Sequence, residues 1–395
     1  MNRYRRILIV SERFYPETFL VNDLVMGFVS KGFDVTVFTQ QPSYPRGRLF
    51  PGYKNRIFSK DIWNGARIIR FKTILGYRDH LIFKLFNYLW FAVYGSILAF
   101  LLPWSFDKVF IFQTGPLTMA MPAIVYAKIH KKPITIWTQD VWPDSVYAYG
   151  FRRWTFLSIL LETFVRFVYR STDHILISCK AFTASLSRFT KKPLIYAPSW
   201  PLTKYKSNDL EYIDKIPLFV FAGNIGKVQN LENIVHGFAI AWRRNPNIGV
   251  LRLIGDGSAW NTIYQTIIQE GAPVQMPGQK NTSEMEDEYN RAKYLVLSLA
   301  SKEIFERTLP AKFAMYLAVG KPILCAAKGV CASFVHDHKL GVVADPDSPE
   351  EIAHAFECLS AFNMNEYIQV SENDKKLLKS EFDRDMIIQR IYGVL

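Results

Sequence analysis

What most constrains this chain is a strand–helix alternation that runs almost from end to end and restarts once. Ile7–Ser11 is a short β-branched run, and Leu20–Lys31 reads as a helix stopped by Gly32. Strands are expected at Val35–Thr39, Lys108–Thr114, Ile134–Gln139 and His174–Ser178, with helical stretches between them. These runs are continuously apolar, the pattern of a parallel sheet covered on both faces. Near Pro198-Ser199-Trp200-Pro201 the pattern breaks, and residues 199–216, rich in Pro, Lys, Ser and Asp, read as a linker. A second series follows at Leu218–Ala222, Val250–Ile254, Val274–Met276, Tyr294–Leu299, Pro322–Ala326 and Gly341–Ala344. Two doubly wound α/β domains, 1–198 and 217–372, are the economical fold for 395 residues. The basic C-terminal stretch, 373–395, is expected to form a helix that packs back on the first domain.

Composition narrows the class. With 49% apolar and 15% aromatic residues, a disordered chain is excluded. The net charge of +13 suits polyanions: nucleic acid, anionic lipid or phosphorylated substrates. No nucleic-acid recognition motif accompanies the charge, so that partner is set aside. Cys179, Cys325, Cys331 and Cys358 show no C-x-x-C spacing and read as reduced thiols. Only four apolar residues, Ile7–Val10, follow the basic N-terminus, too few for a signal-peptide core, so a cytosolic location is expected.

Ligands of such sheets sit at the carboxyl ends of strands, and with two domains the cleft between them is the natural site. The first loop, Ser11-Glu12-Arg13-Phe14-Tyr15-Pro16-Glu17, lacks G-x-G-x-x-G, and no P-loop occurs anywhere. The second domain opens with Gly223-Asn224-Ile225-Gly226-Lys227 between a strand and a helix. Small residues there either let backbone approach a phosphate or simply make a tight turn. A second glycine loop, Gly255-Asp256-Gly257, ends the next strand. Arg307 and Lys312 flank the start of a helix at Phe313–Val319, an end that cations do not favour unless an anion sits there. In the first domain Asp140 follows a strand, and either orients a hydroxyl or caps a turn. Asp345-Pro346-Asp347 reads as a turn capping a helix, and His336-Asp337-His338 stands isolated, so no metal is expected.

Taken together, these segments resemble glycosyltransferase family 4, the retaining GT-B enzymes, and most closely its N-acetyl-L-fucosamine transferases of bacterial O-antigen and capsule assembly. The resemblance rests on Phe14-Tyr15-Pro16-Glu17 with Asn22-Asp23, Pro42-Ser43-Tyr44-Pro45-Arg46-Gly47, and Gln139-Asp140-Val141-Trp142-Pro143-Asp144. Gly223-Asn224-Ile225-Gly226 and Thr308-x-Pro310-x-Lys312 leading to Gly320-Lys321-Pro322 complete it. It implies a UDP-sugar donor, a lipid-linked saccharide acceptor, and no cofactor or metal. The donor side comprises Gly223, Asn224, Gly226, Lys227, Gly255, Asp256, Gly257, Gln279, Glu306, Thr308 and Pro310. Arg307 and Lys312 neutralise the diphosphate, and Asp140 positions the acceptor hydroxyl. Tyr15, Glu17, Asn22, Asp23, Gln139 and Trp142 form the acceptor side. Five positions depart from the family: its Glu-x7-Glu pair falls at Arg307 and Met315, which displaces the carboxylates to Glu303 or Glu306 or removes them. Its usual Arg and Lys of the first glycine loop fall at Asn224 and Gln229, and its usual His at Gln139. The alternatives are a GT-B sugar-nucleotide 2-epimerase and a degenerate binding subunit.

Leu85–Trp104 carries no charge over twenty positions. A single span is rejected because its flanking strands belong to one sheet. Buried core helices or a dimer interface compete with a surface dipping into lipid, which Arg78, His80 and Lys84 and the stretch from Arg152 to Arg170 favour. The expected state is monotopic, on the cytoplasmic face of the cell membrane, with anionic lipid as partner.

Overall fold

The computed structural model describes residues 6–77, 81–103, 105–148, 155–203 and 216–395. It divides into Met1–Pro198 with Arg384–Leu395, and Ser199–Asp383. Residues 204–215 of the expected linker, Arg78, His80, Trp104 and residues 151–154 lie outside the described residues.

The first unit runs β1 (Arg6–Val10), α1 (Leu20–Ser30), β2 (Asp34–Gln40), β3 (Phe58–Trp63), β4 (Ala66–Phe71), α2 (Leu81–Phe100) and β5 (Lys108–Gln113). It continues with α3 (Met121–His130), β6 (Ile134–Thr138), α4 (Asp144–Ala148), α5 (Phe156–Ser171), β7 (His174–Ile177), α6 (Phe182–Leu186) and β8 (Leu194–Tyr196). Its strands make one eight-stranded sheet, ordered β3-β4-β2-β1-β5-β6-β7-β8, parallel except for the β3–β4 hairpin. The hairpin turns at Asn64 and Gly65, both at positive φ, a turn that Asn-Gly favours. Right-handed crossovers place α2, α3, α5 and α6 on one face of this sheet. There α2 lies close on α3: a side chain at Gly95 would meet Pro122 at 2.9 Å.

The second unit holds β9 (Leu218–Ala222), α7 (Leu231–Arg244), β10 (Val250–Ile254), α8 (Trp260–Glu270), β11 (Val274–Gly278), α9 (Thr282–Arg291), β12 (Tyr294–Ser298) and α10 (Glu303–Glu306). Then come α11 (Ala311–Val319), β13 (Ile323–Ala326), α12 (Val330–Asp337), β14 (Gly341–Ala344), α13 (Pro349–Ser360) and α14 (Met364–Glu381). Its six parallel strands are ordered β11-β10-β9-β12-β13-β14. Apolar clusters pack on both faces, around Phe219, Phe238 and Phe356 on one and Phe313, Tyr316 and Leu317 on the other. Local chemistry marks the helix starts: Asn281 with Glu284, and Asn363 with Glu366, form capping boxes, and Ser348 caps α13.

The single C-terminal helix expected at 373–395 is corrected to two. Leu377 and Phe382 are buried in the second unit, so α14 belongs there. Only α15 (Arg384–Gly393) returns to the first unit, where it packs on α1. Gly27 makes room for it, since a side chain there would meet Ile388 at 2.5 Å. Arg390 donates to the Tyr196 carbonyl at 2.8 Å.

The helix α2 is also not the buried pair of core helices set against the lipid reading. It is one helix, apolar but for Lys84, Asn87 and Ser96, with Ile82, Leu85, Phe86, Leu89, Val93, Ile97 and Phe100 exposed. It is long and apolar enough to cross a membrane, but only 28% of that stretch is buried, and β4 and β5 before and after it share one sheet.

Candidate functional site

In the second unit the glycine loops after β9 and β10 are joined by backbone hydrogen bonds. Gly223 N donates to Ile254 O at 3.0 Å, Ile225 N to Asp256 O at 3.0 Å, and Ala259 N to Ile225 O at 2.9 Å. Gly255, at φ +146°, lies so close that a Cβ there would sit 1.8 Å from the Gly223 carbonyl oxygen. Gly257 is similarly confined, 2.3 Å from the Ile225 carbonyl oxygen. These glycines therefore let two loops touch through backbone. Gly255→Ala is expected to destabilise the protein by about 1–3 kcal/mol through strain alone, seen as a lower urea midpoint. An unchanged midpoint would mean that the loops separate freely.

Lys312 is the second residue of α11, which begins at Pro310 as N-cap and stops at Gly320 in the left-handed region. Its ammonium is buried and has no hydrogen-bond partner among the described residues. It lies 3.9 Å from the centre of the Phe221 ring and would be 2.8 Å from a Cβ on Gly223. Burial lowers its pKa to about 7, with a small opposing effect from Cys331. A buried, unsolvated cation beside a glycine loop is costly unless an anion completes it.

Arg307 is placed differently. It caps the C-terminus of α10 rather than the start of α11, and its guanidinium bonds Glu303 Oε1 at 2.6 Å. Of the two cations expected to flank this helix start, Arg307 thus lies one loop before it and shares its charge with Glu303. Thr308 Oγ1 donates to the Ile304 carbonyl at 2.7 Å and its own carbonyl accepts from Cys331. The Glu306 backbone lies against Gly329, where a Cβ would be 2.1 Å from its oxygen. Lys227 and Asn224 are exposed; the Asn224 amide folds over Gly226. Asp256 Oδ1 accepts from Gly257 N at 2.8 Å, and Gln279 is exposed just beyond β11. Asp345 and Asp347 both bind Lys328, at 3.1 and 3.2 Å.

The first unit gathers a buried ionic cluster at the carboxyl ends of β1 and β2. Arg13, 7% exposed, lies between Glu12 at 2.9 Å and Glu17 at 3.8 Å, with its guanidinium over the Tyr44 ring. Burial opposes its charge, but Glu12, Tyr77 and Glu17 more than restore it. Glu17 Oε1 accepts from the backbone of Ser43 at 2.8 Å and Tyr44 at 2.7 Å. Burial still pushes the Glu17 carboxyl above its ordinary range, against Arg13 and those two amides. Glu12 also accepts from Gln40 at 3.3 Å and Asn87 at 3.5 Å. Glu17 thus ties the loop at Ser43 and Tyr44 to the loop after β1. Glu12, Arg13, Gln40, Tyr77 and Asn87 were missed as members of this site; the adjacent charges Glu12-Arg13 directly after an apolar strand were the available signal.

Tyr15 is exposed and stacks on Trp63 at 4.9 Å. Asn22 donates to the Glu17 carbonyl at 2.7 Å. Asp23 does not join this group: it pairs with Arg384 of α15, Nη2 to Oδ1 at 3.2 Å, so its carboxylate anchors the C-terminal helix. After β6, Gln139 N donates to the Gln113 carbonyl at 2.9 Å, and Gln113 Nε2 to the Asp140 carbonyl at 3.0 Å. Ser145 donates to Asp140 Oδ1, and Trp142 is half-buried beside it. Burial raises the Asp140 carboxyl, and the hydrogen bonds from Ser145, Trp142 and Val141 only partly offset that.

Comparison with known proteins gives the second unit a family likeness. Residues 206–376 match the family model described as "Glycosyl transferases group 1". Over 253 residues the chain is 24% identical to the "Probable glycosyltransferase WbjE" of Pseudomonas aeruginosa, 60% of this chain and 62% of that relative. The match thus spans less than two thirds of that relative's length. Sucrose-phosphate synthase of Thermosynechococcus elongatus superposes with a TM-score of 0.69 at 14% identity, over 99% of this chain and 98% of that one. Anabaena HepE, solved in complex with UDP and glucose, gives 0.66 at 12% identity, over 99% of each chain. At these identities the likeness establishes the fold: two Rossmann-like sheets, the GT-B arrangement of the glycosyltransferases.

Within the group 1 domain, Met315 stands on α11 one helical turn beyond Lys312, and its sulfur accepts from Leu202 N at 3.3 Å. That position therefore offers no carboxylate. Glu303 is engaged with Arg307, and Glu306, at the end of α10, is half-buried.

Proposed function

We propose that the protein is a retaining glycosyltransferase that moves a sugar from a UDP-sugar to a lipid-linked saccharide, in the manner of family 4. The donor, an N-acetylated or deoxy-amino sugar as in the N-acetyl-L-fucosamine branch, is held by the group 1 domain. The observation that carries this reading is the buried, unpartnered Lys312 ammonium against Gly223 at the start of α11. A diphosphate there meets a cation, backbone N–H groups and the positive end of a helix. As the bond from the anomeric carbon to the phosphate oxygen breaks, charge grows on the diphosphate, and Lys312 stabilises it. The acceptor oxygen attacks the same face of the sugar, and its proton passes to the departing phosphate oxygen. Asp140 positions that hydroxyl from the first unit, beside Gln139 and Trp142. Positive charge comes from side chains, and the Asp345–Asp347 pair is neutralised by Lys328.

The apolar outer face of α2 supports a monotopic seat on the cytoplasmic side of the membrane, where a polyprenyl-diphosphate acceptor presents its sugar. The test is mass spectrometry after incubation with a panel of UDP-sugars and lipid-linked acceptors, with and without EDTA. Acceptor-dependent product that survives chelation is expected. Conversion of a UDP-sugar without acceptor would make the protein an epimerase, and loss of activity with EDTA, rescued by Mn²⁺, would return Asp345 and Asp347 to the site.

A further inference from the structure

We propose that the groove between α3 and α5 binds the phosphate headgroup of an anionic phospholipid and so fixes the first unit on the bilayer. This rests on the membrane seat of the proposed function and names the site that reads its charge. The groove has a volume of about 370 Å³ and is lined by Lys128, Thr163, Arg166, Phe167, Arg170 and Ser171. Three of these six are cations and none is a carboxylate. Lys128 rides on the Phe167 ring at 4.6 Å, and Arg166 is steadied by Glu162 at 3.3 Å and by the Phe189 ring. The exposed Arg170 guanidinium makes no hydrogen bond or ion pair among the described residues. Among the described residues one carboxylate therefore answers three positive charges, and the groove carries a net positive charge that an anion would complement.

The surroundings say which anion. Along α5, positions 156, 159, 160, 163, 166, 167 and 170 fall on one stripe at helical spacing. Its first half is apolar and exposed: Phe156 at 74%, Ile159 at 61% and Leu160 at 50%. Its second half is the cationic groove. On the same sheet face, the outer stripe of α2 is open and apolar, with Val93 61% and Ile97 55% exposed. Apolar side chains beside clustered cations match the acyl boundary beneath a phosphate layer. A soluble phosphate would leave the apolar stripes uncovered. A second copy covering them by two-fold symmetry would bring the same three cations toward each other.

The experiment is flotation of the full chain with vesicles of phosphatidylcholine alone and of equimolar phosphatidylcholine and phosphatidylglycerol, at low and high salt. Each cation near such a surface contributes about five-fold in partitioning. Arg170→Gln is expected to weaken binding to anionic vesicles about five-fold, and Lys128→Gln with Arg166→Gln and Arg170→Gln about a hundred-fold, with UDP affinity unchanged as the sign of a folded protein. Val93→Ser with Ile97→Ser is expected to weaken binding to both vesicles. If the triple variant floats like wild type, the groove is not the headgroup site, although the membrane seat stands. If wild type floats with neither vesicle, the membrane seat itself fails. If the triple variant keeps its binding to phosphatidylglycerol but loses it on vesicles doped with a polyprenyl diphosphate, the groove takes the acceptor's diphosphate and the headgroup assignment is overturned.

Discussion

Asp140→Asn is expected to lower turnover about a hundred-fold, the scale of a reacting group held out of position. Asparagine keeps the shape and can still accept the Ser145 hydroxyl, so the fold should hold. Donor affinity should change little, because Asp140 lies in the first unit and the group 1 domain in the second. The raised carboxyl adds a pH signature. If the ionised form orients the acceptor, activity falls on the acid side at a pH above the ordinary carboxylate range, and Asp140→Asn removes that limb. Normal turnover with weakened donor binding would move Asp140 to the donor side.

Lys312→Met should lower kcat about a hundred- to a thousand-fold, the scale of one lost oxyanion donor. UDP affinity should fall with it, since the ammonium meets the diphosphate in the ground state as well. Its pKa of about 7 sets the pH dependence. Below pH 7 the lysine is charged in both folded and unfolded chains, and the cost of burying that charge is fully present. From pH 7 up to its ordinary 10.5 the folded chain holds it neutral while the unfolded chain keeps the proton, so stability rises with pH across that window. A bound diphosphate favours the charged form and raises the pKa again. UDP binding at pH 8 must then take up a proton, and affinity must fall as pH rises above about 7. Calorimetry in buffers of different ionisation enthalpy measures this uptake, and Lys312→Met should abolish it. Binding without proton uptake, together with wild-type turnover in the variant, would remove Lys312 from the site.

Much of this was legible in the residues themselves, because unbroken apolar runs between helices have few folded solutions other than a covered parallel sheet. The glycine loops were legible too: a strand ending in Gly-x-x-Gly or Gly-x-Gly before a helix must approach something closely, and Gly255 and Gly257 do, although what they approach is the glycine loop after β9. The hairpin Phe58–Phe71 was missed despite its Asn64-Gly65 turn, since β3 is an exposed edge strand without the apolar run that marked the others.

Other features depended on three-dimensional packing. No sequence spacing brings Arg384 to Asp23, 361 residues apart, so an acidic candidate for the acceptor side became a structural anchor. Arg307 and Lys312 look alike along the chain, but α10 gives one a carboxylate at helical spacing while the sheet closes over the other. The hydrophobic run at α2 was plain in the sequence. Whether its outer face met core or solvent was decided by which helices the crossovers left beside it. The sequence by itself determined the layers and the loops, because those follow from local patterning; the tertiary structure decided which charges are answered, because a charge's partner is set by distance in space and not along the chain.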